Sequence, residues 1–416
     1  MAVPILPSEI DISSPEAYLN ERRLQADFSR LRNEMPIAWV DREPYRPFWS
    51  VVRNADIKAI EKNHQIFINE PRLTLQTRKA EAASAAMFGG QRYGVRTLTD
   101  MDEPDHRKYR DISSRWFVGP GLRKVLERVD RIADRFVDRM VKQGGQCDFA
   151  TEVAMWYPLY VILSLFDLPE EDAPRLLQLT QHLVSASDPD LQRSDLGGTD
   201  AVPEFFEYLG RLLVERRAHP GDDLASAIAT AEIDGKPIDT LEALSYYLIM
   251  VTAGHDTTSG AITGGMHALV ENPAEREKLR QPTPALLRNA SGEMCRWVTP
   301  VKHFMRTATE DFSFHDATIK AGDAVALFYA SGNRDDACFE DPDRFRVDRK
   351  VDGHVAFGFG IHSCVGRQLA LAEMDAFFGR LIPRLRHVEF AGDPKLIQSN
   401  LIGGYKSLPL HYEITH

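Results

Sequence analysis

The sequence predicts a mainly α-helical protein with small β-sheets, built around one long buried helix. Three features of the 416-residue chain carry that expectation. Residues 121–296 keep a helical period almost throughout. Residues 240–271 are apolar on nearly every side, as an enclosed helix must be. Strand patterns gather only toward the two ends. A chain of this length averages two or three domains of about 150 residues. No stretch has linker composition, so residues 1–416 are read as a single domain.

The elements follow in order. Ser14-Pro15-Glu16 is a helix-start pattern, and helical periodicity runs on to 34. Residues 37–53 then place Ile37, Trp39 and Val40, and after them Phe48, Trp49, Val51 and Val52, on either side of a polar turn containing proline, a β-hairpin pattern. Residues 71–100 lack a firm period and hold Gly89, Gly90 and Gly94, as a functional or mobile loop does. Leu122, Val125, Leu126, Val129, Ile132, Phe136 and Met140 form one apolar helical stripe. Helices are expected at 170–185 and 203–217, joined flexibly through Ser187-Asp188-Pro189-Asp190 and Gly197-Gly198, and strands at 316–320, 323–329 and 399–413.

Composition excludes several functions. Lys and Arg number 50 against 61 Asp and Glu, a formal charge of −11 with no basic block. That balance speaks against nucleic acid and against an anionic membrane. No apolar run approaches the roughly 20 residues of a membrane-spanning helix, and Met1-Ala2-Val3-Pro4 does not open a secretory signal. Cys147, Cys295, Cys338 and Cys364 are too scattered for a disulfide framework or a paired zinc spacing, so a reduced, cytoplasmic setting is expected.

The central helix has clear ends. Asp239 with Glu242 resembles a capping box, and Asn272-Pro273 stops it. At 1.5 Å per residue it would be about 48 Å long. Its middle, Ala253-Gly254-His255-Asp256-Thr257-Thr258-Ser259-Gly260, is poor in helix formers. Such conflicts concentrate at functional sites, although a kink satisfied by threonine back-bonding would account for this one equally well. On the functional reading Gly254 admits something flat, and Asp256 and Thr257 set an acid and a hydroxyl beside it as a proton relay. His255 is read as a satisfied helix histidine.

Phe357-Gly358-Phe359-Gly360-Ile361-His362-Ser363-Cys364-Val365-Gly366 precedes a strong helix former. A cysteine at a helix start is favoured as thiolate, its pKa lowered, and the glycines allow close approach. Without companion ligands it suits a single axial bond to haem iron better than zinc. A lone cysteine in a glycine-rich turn is, on its own, more often a small buried side chain.

This segment resembles the haem-binding loop of the cytochrome P450 family, Phe-Gly-x-Gly-x-His-x-Cys-x-Gly, at every fixed position. Ala253 to Thr257 is similar to that family's oxygen-binding segment. Glu293-Met294-Cys295-Arg296 is similar to its Glu-x-x-Arg pair, a frequent chance match that gains weight here from its place between the other two motifs. The resemblance runs from about residue 95 to the C-terminus. It implies a single-domain P450 fold with haem b between the long helix and the Cys364 loop. Cys364 would ligate the iron, and Phe357, Gly358, Gly366 and Ala253 would contact the haem. His106, Arg110, Arg306 and His362 would hold its propionates. Glu293, Arg296 and Arg344 would form a structural ion network, and Asp256 and Thr257 the acid–alcohol pair. Leu98, Thr99, Ile249, Ala253, Thr257, Val301, Leu401 and Ile402 would meet the substrate, and residues 71–100 and 186–202 would form an access lid.

Thr252 to Thr258 and Trp297 to Arg306 most resemble soluble bacterial terpene-alcohol hydroxylases and their aromatic-hydrocarbon-binding relatives. The implied activity is that of a monooxygenase. It would hydroxylate a small apolar substrate (terpenoid, alkylbenzene or polycyclic aromatic hydrocarbon) with O2 and two electrons from a [2Fe-2S] ferredoxin served by an NAD(P)H reductase. A basic face of Arg107, Lys108, Arg110, Arg123, Lys124 and Arg367 would dock that ferredoxin. The alternatives are a peroxide-dependent haem-thiolate enzyme, which usually lacks the acid–alcohol pair, and a non-catalytic haem sensor.

Overall fold

A computed structural model describes residues 3–87, 95–184, 187–191 and 201–415. The expected first helix is two. Pro15–Leu19 is a short 3-10 turn, and Asn20 then caps α1 (Glu21–Glu34) by accepting from the Arg23 amide. Asparagine competes for backbone amides and so favours a cap over a helix interior. The expected hairpin forms from β1 (Ile37–Val40) and β2 (Phe48–Val51). After α2 (Asn54–Lys62) and β3 (Phe67–Ile68), the stretch read as a loop contains α3 (Arg78–Met87). Alanine content gives α3 its helicity, without the apolar stripe that would announce it. Gly89, Gly90 and Gly94 lie outside the described residues.

Then come α4 (Asp105–Ser114), α5 (Gly119–Lys142), β4 (Gln146–Asp148), α6 (Tyr157–Phe166), α7 (Ala173–Val184), α8 (Val202–Ala218) and α9 (Leu224–Ala229). Val125, Val129, Phe136 and Met140 are the buried members of the α5 stripe. The connection after α7 is pinned where it is described. Asp188 is buried, receives Lys406 Nζ at 2.7 Å and accepts from the Gln398 amide. Gly197 and Gly198 lie outside the described residues.

A small hairpin, β5 (Glu232–Ile233) and β6 (Lys236–Pro237), leads into α10 (Thr240–Glu271), the central helix over its expected span. Asp239 caps it through the Leu241 amide. The helix stays continuous through Ala253–Gly260, with Thr252 and Thr257 donating their hydroxyls back to the Leu248 and Ala253 carbonyls at 2.9 and 2.8 Å.

α11 (Pro273–Lys278) and α12 (Pro284–Val298) precede β7 (His303–Ala308), β8 (Phe312–Phe314), β9 (Ala317–Ile319) and β10 (Ala324–Phe328). The main sheet has the order β1-β2-β10-β7-β3, with β10 parallel to β2 and antiparallel to β7. Its period-2 alternation serves two cores. Ala38, Val40, Ala324 and Ala326 meet α1 on one face, while Ile37, Val325 and Leu327 meet α2 on the other. α13 (Tyr329–Gly332), α14 (Arg367–Arg384), β11 (Leu385–Phe390), β12 (Lys395–Leu396), β13 (Tyr405–Ser407) and β14 (Pro409–Ile414) complete the chain. The largest core is helical, with α10 running through it against α6, α8 and α12. Among the described residues no helix is long and apolar enough to cross a membrane.

Candidate active site

A large cavity opens between the middle of α10 and the loop before α14, with an empty volume of about 1500 Å³, its mouth included. The loop's shape comes from its glycines. Gly358 and Gly360 adopt φ of +66° and +70°, which other residues rarely do. A Cβ on Gly360 would also stand 2.9 Å from the Glu61 carbonyl oxygen. The turn returns the Cys364 amide to the Phe357 carbonyl at 2.8 Å, and Cys364 joins the cavity wall with Phe357, Gly358 and Gly366. Cys364 stands three residues before α14 rather than in its first turn. Enclosure by the surrounding walls raises the thiol pKa, against the Gly366 and Arg367 amides and the Arg110 and Arg367 charges that lower it, while the residue stays open to the cavity. For the loop by itself the direction is thus upward rather than the expected lowering, and a metal cation bound there would deprotonate the thiol outright. Among the described residues no three His, Cys, Asp or Glu side chains converge as a metal cluster, so Cys364 has no companion ligands.

One edge of the cavity is cationic. His106 and Arg110 reach it from α4, Arg306 from β7 and His362 from the loop. The two imidazoles lie 4.2 Å apart between centroids, and Arg110 donates to the Ser363 carbonyl at 2.8 Å. Burial, with the neighbouring guanidinium groups, pushes both imidazole pKa values down, that of His362 to about 2. His106 Nδ1 and His362 Nε2 are buried without a hydrogen bond, with Glu103 Oε1 3.8 Å from the first. A thiol on one wall, hydrocarbon around it and imidazole nitrogens without a hydrogen bond beside two guanidinium groups fit haem b. The sulfur would hold the iron, and the edge would hold the two carboxylates.

Of the expected substrate contacts, Leu98, Thr99, Ile249, Ala253, Thr257 and Val301 line this cavity. Leu401 and Ile402 do not. Ile402 pairs with Val301 through a β-bridge and stands behind it, lining a second, small cavity. Leu73, Phe117, Ile162, Phe166 and Phe304 also line the main cavity. They were missed because an apolar residue in a core pattern carries no mark of facing a void. Gly254 lines this cavity and serves packing as well. A Cβ there would strike Ile162 Cδ1 at 2.4 Å, so the glycine admits α6.

The acid and the alcohol face different spaces. Thr257 lines the main cavity, whereas Asp256 lines the small one with Ser259, Tyr405 and Gln181. Asp256 therefore does not lie beside the haem cavity as expected. Its Oδ1 is 3.3 Å from His255 Nδ1, and its buried Oδ2 has no partner. His255 is fully buried and donates Nε2–H to the Met155 carbonyl at 2.6 Å. Burial lowers its pKa, but the Asp256 charge and hydrogen bonds outweigh this and the net shift is upward. On α14, Glu373 lines the main cavity without a side-chain partner, and burial holds its carboxyl far above the usual range.

Glu293 and Arg296 form a buried bidentate pair at 2.6 and 2.8 Å. The third cation is Arg349, with Nε 3.2 Å from Glu293, and not the expected Arg344, which is exposed and contributes only its carbonyl to Arg349. The segment Asp341-Pro342-Asp343-Arg344, where the resemblance puts the third arginine, is the right one, but the chain turns there and buries the later arginine. On the expected basic face, Arg107, Arg123 and Arg367 are exposed, Arg107 with Glu103 3.9 Å away, Lys108 and Lys124 are paired with Asp234 and Asp222, and Arg110 turns into the cavity.

Residues 74–413 match the family described as Cytochrome P450. The chain is 37% identical to cytochrome P450-terp of a Pseudomonas species, over 96% of this chain and 95% of that one. It is 31% identical to linalool 8-monooxygenase of Pseudomonas putida, over 96% and 97%. The crystal structure of CYP108D1 from Novosphingobium aromaticivorans superposes with a TM-score of 0.92 at 35% identity, covering 99% of this chain and 100% of that one.

Proposed function

The chain belongs to the cytochrome P450 family and is a haem b monooxygenase, and on that premise we propose that it hydroxylates a small apolar compound, a terpenoid before an alkylbenzene or a polycyclic aromatic hydrocarbon. The observation that carries this reading is the cavity wall. Leu73, Leu98, Ile249, Ala253, Val301 and Phe304 offer hydrocarbon, with Asn69, Thr99, Thr257 and Thr258 among them, and the charged side chains gather at the edge that would hold the haem carboxylates. Such a wall rewards buried apolar area, and the cations at its edge would be taken up by the haem carboxylates rather than by substrate. The likeness to linalool 8-monooxygenase supports a terpenoid. A single domain is favoured because the cavity is built from residues as far apart as Glu61 and Met374.

Haem, when bound, supplies oxygen activation with two external electrons. The chain's part is to hold it through Cys364 and the cationic edge, to exclude water and to manage protons. The Thr257 hydroxyl donates to the Ala253 carbonyl, which leaves its lone pairs to accept a hydrogen bond from the cavity side. Asp256 is the proton source, and its free Oδ2 in the small cavity must turn about the side-chain bonds to serve it.

A haem absorbance titration tests the substrate class. Monoterpene alcohols are expected to displace water and shift the spin state, and short fatty acids are not. A shift from fatty acids alone would overturn the reading. Thr257→Ala is expected to keep that shift while product per NADH falls about tenfold or more, and undiminished coupling would remove its role.

The electron donor is a [2Fe-2S] ferredoxin with its NAD(P)H reductase, docking near Arg107 and Arg367. The double substitution Arg107→Glu, Arg367→Glu is expected to slow ferredoxin-driven haem reduction at low salt and to have little effect at high salt, as stopped-flow reduction would report.

A further inference from the structure

Glu61, near the end of α2, is buried at the cationic edge of the cavity. Its Oε1 accepts from Arg306 at 2.9 Å and from the Tyr329 hydroxyl at 2.6 Å, and its buried Oε2 has no partner in a hydrogen bond. The arginine expected to serve only a propionate is thus already shared with a carboxyl of the chain.

A charge count follows. The guanidinium groups at this edge are Arg110 and Arg306. Nearest them, with haem b bound, would be Glu61 and the two carboxyl groups of the porphyrin, while Asp102, held by the Asn69 and Glu70 amides, lies within the field of Arg306, and Glu103 lies 3.8 Å from His106. Carboxylates that share one desolvated site do not all ionise, and one retains a proton.

We propose that Glu61 tunes the haem's reduction potential, holding one proton in common with the haem carboxylate that shares Arg306. Other groups facing it are the Tyr329 hydroxyl from α13, the Phe359 amide and His362 from the loop, and His106 and Arg110 across the edge, with His64 near both imidazoles. Burial already raises the Glu61 pKa above the ordinary carboxylate range, against Arg306, Tyr329 and the Phe359 amide, and two further carboxylates push it the same way.

The coupling is thermodynamic. Reduction adds one electron from the external donor to the ferric haem, and the extra negative charge raises the proton affinity of the carboxyls nearby. Between the two affinities one proton from solvent accompanies the electron, and by linkage the ionised pair lowers the potential.

The test is a spectroelectrochemical titration of the substrate-free, full-length holoenzyme across the weakly acid to weakly alkaline range, with the reduced carbon monoxide spectrum confirming haem loading. The native protein is expected to show a potential that falls as pH rises. Glu61→Gln is expected to flatten that slope and to raise the potential at the alkaline end. An unchanged slope overturns the proposal, as does lost haem retention with the slope preserved. Should Glu61→Gln fail to fold, Tyr329→Phe decides. It removes a donor that stabilises the carboxylate, so the sloping region is expected to move to higher pH, and a region that stays in place overturns the proposal.

Discussion

Replacing Cys364 by serine is expected to abolish the red-shifted Soret band of reduced, carbon monoxide-bound haem-thiolate and to take ferredoxin-driven turnover below detection. The argument is local. The loop is shaped by Gly358, Gly360 and the bond from the Cys364 amide to the Phe357 carbonyl, none of which needs the sulfur. Serine therefore keeps the turn and its position on the cavity wall. It loses the soft, ionisable ligand, because a serine hydroxyl is far more basic than a thiol and no cation here could compensate. The other sulfur groups lining the cavity are Cys295, a buried thiol raised to about 12, Met374, which accepts from it at 3.6 Å, and Met250. A thiolate band that survived the substitution would identify Cys295 as the ligand and overturn the assignment. Loss of the band in a protein with unchanged circular dichroism is the expected result.

What the sequence made legible, and what it hid, follows from the range of the interactions. The central helix was readable because thirty-two residues carry one pattern with a cap at each end. The Cys364 loop was readable because glycine at a left-handed φ and cysteine at a ligand position leave few alternatives. Asp256 was placed on the wrong side because a helix turns about 100° per residue, and here the step from 257 to 258 stays on the main cavity while the step back to 256 leaves it. The hand of that turn relative to the loop is tertiary information. Glu61 escaped notice because a Lys-Ala-Ile-Glu-Lys run reads as an ordinary helix surface. Its burial arises only when Arg306 and Tyr329, about 250 residues later, fold onto it. Arg349 was missed for the same reason, since Arg344 stood at the patterned position and only the turn between them decides which is enclosed.

That exchange sets the second large effect. Glu293→Ala is expected to destabilise the protein by about 3–5 kcal/mol, the usual penalty for stranding a buried charge, and to leave most of it without haem. Arg296 and Arg349 would then face each other nearly solvent-free, with the carboxylate between them gone. Haem loss follows from a chain of bonds. Arg296 also donates to the Asn333 carbonyl at 2.7 Å and the Pro342 carbonyl at 3.0 Å, while Asn333 Oδ1 accepts from the Val355 amide at 2.7 Å, two residues before the Cys364 loop begins at Phe357. Loosening Arg296 therefore loosens the anchor of the loop that carries the ligand. Arg349→Ala is expected to cost nearly as much, since its guanidinium also donates to the Asp341 and Arg344 carbonyls at 3.0 and 2.8 Å. Arg344→Ala, on an exposed side chain, is expected to stay within about 0.5 kcal/mol. Denaturant unfolding and the ratio of haem to protein absorbance read both quantities. Equal losses from Arg344→Ala and Arg349→Ala would place the network's third cation elsewhere than at Arg349.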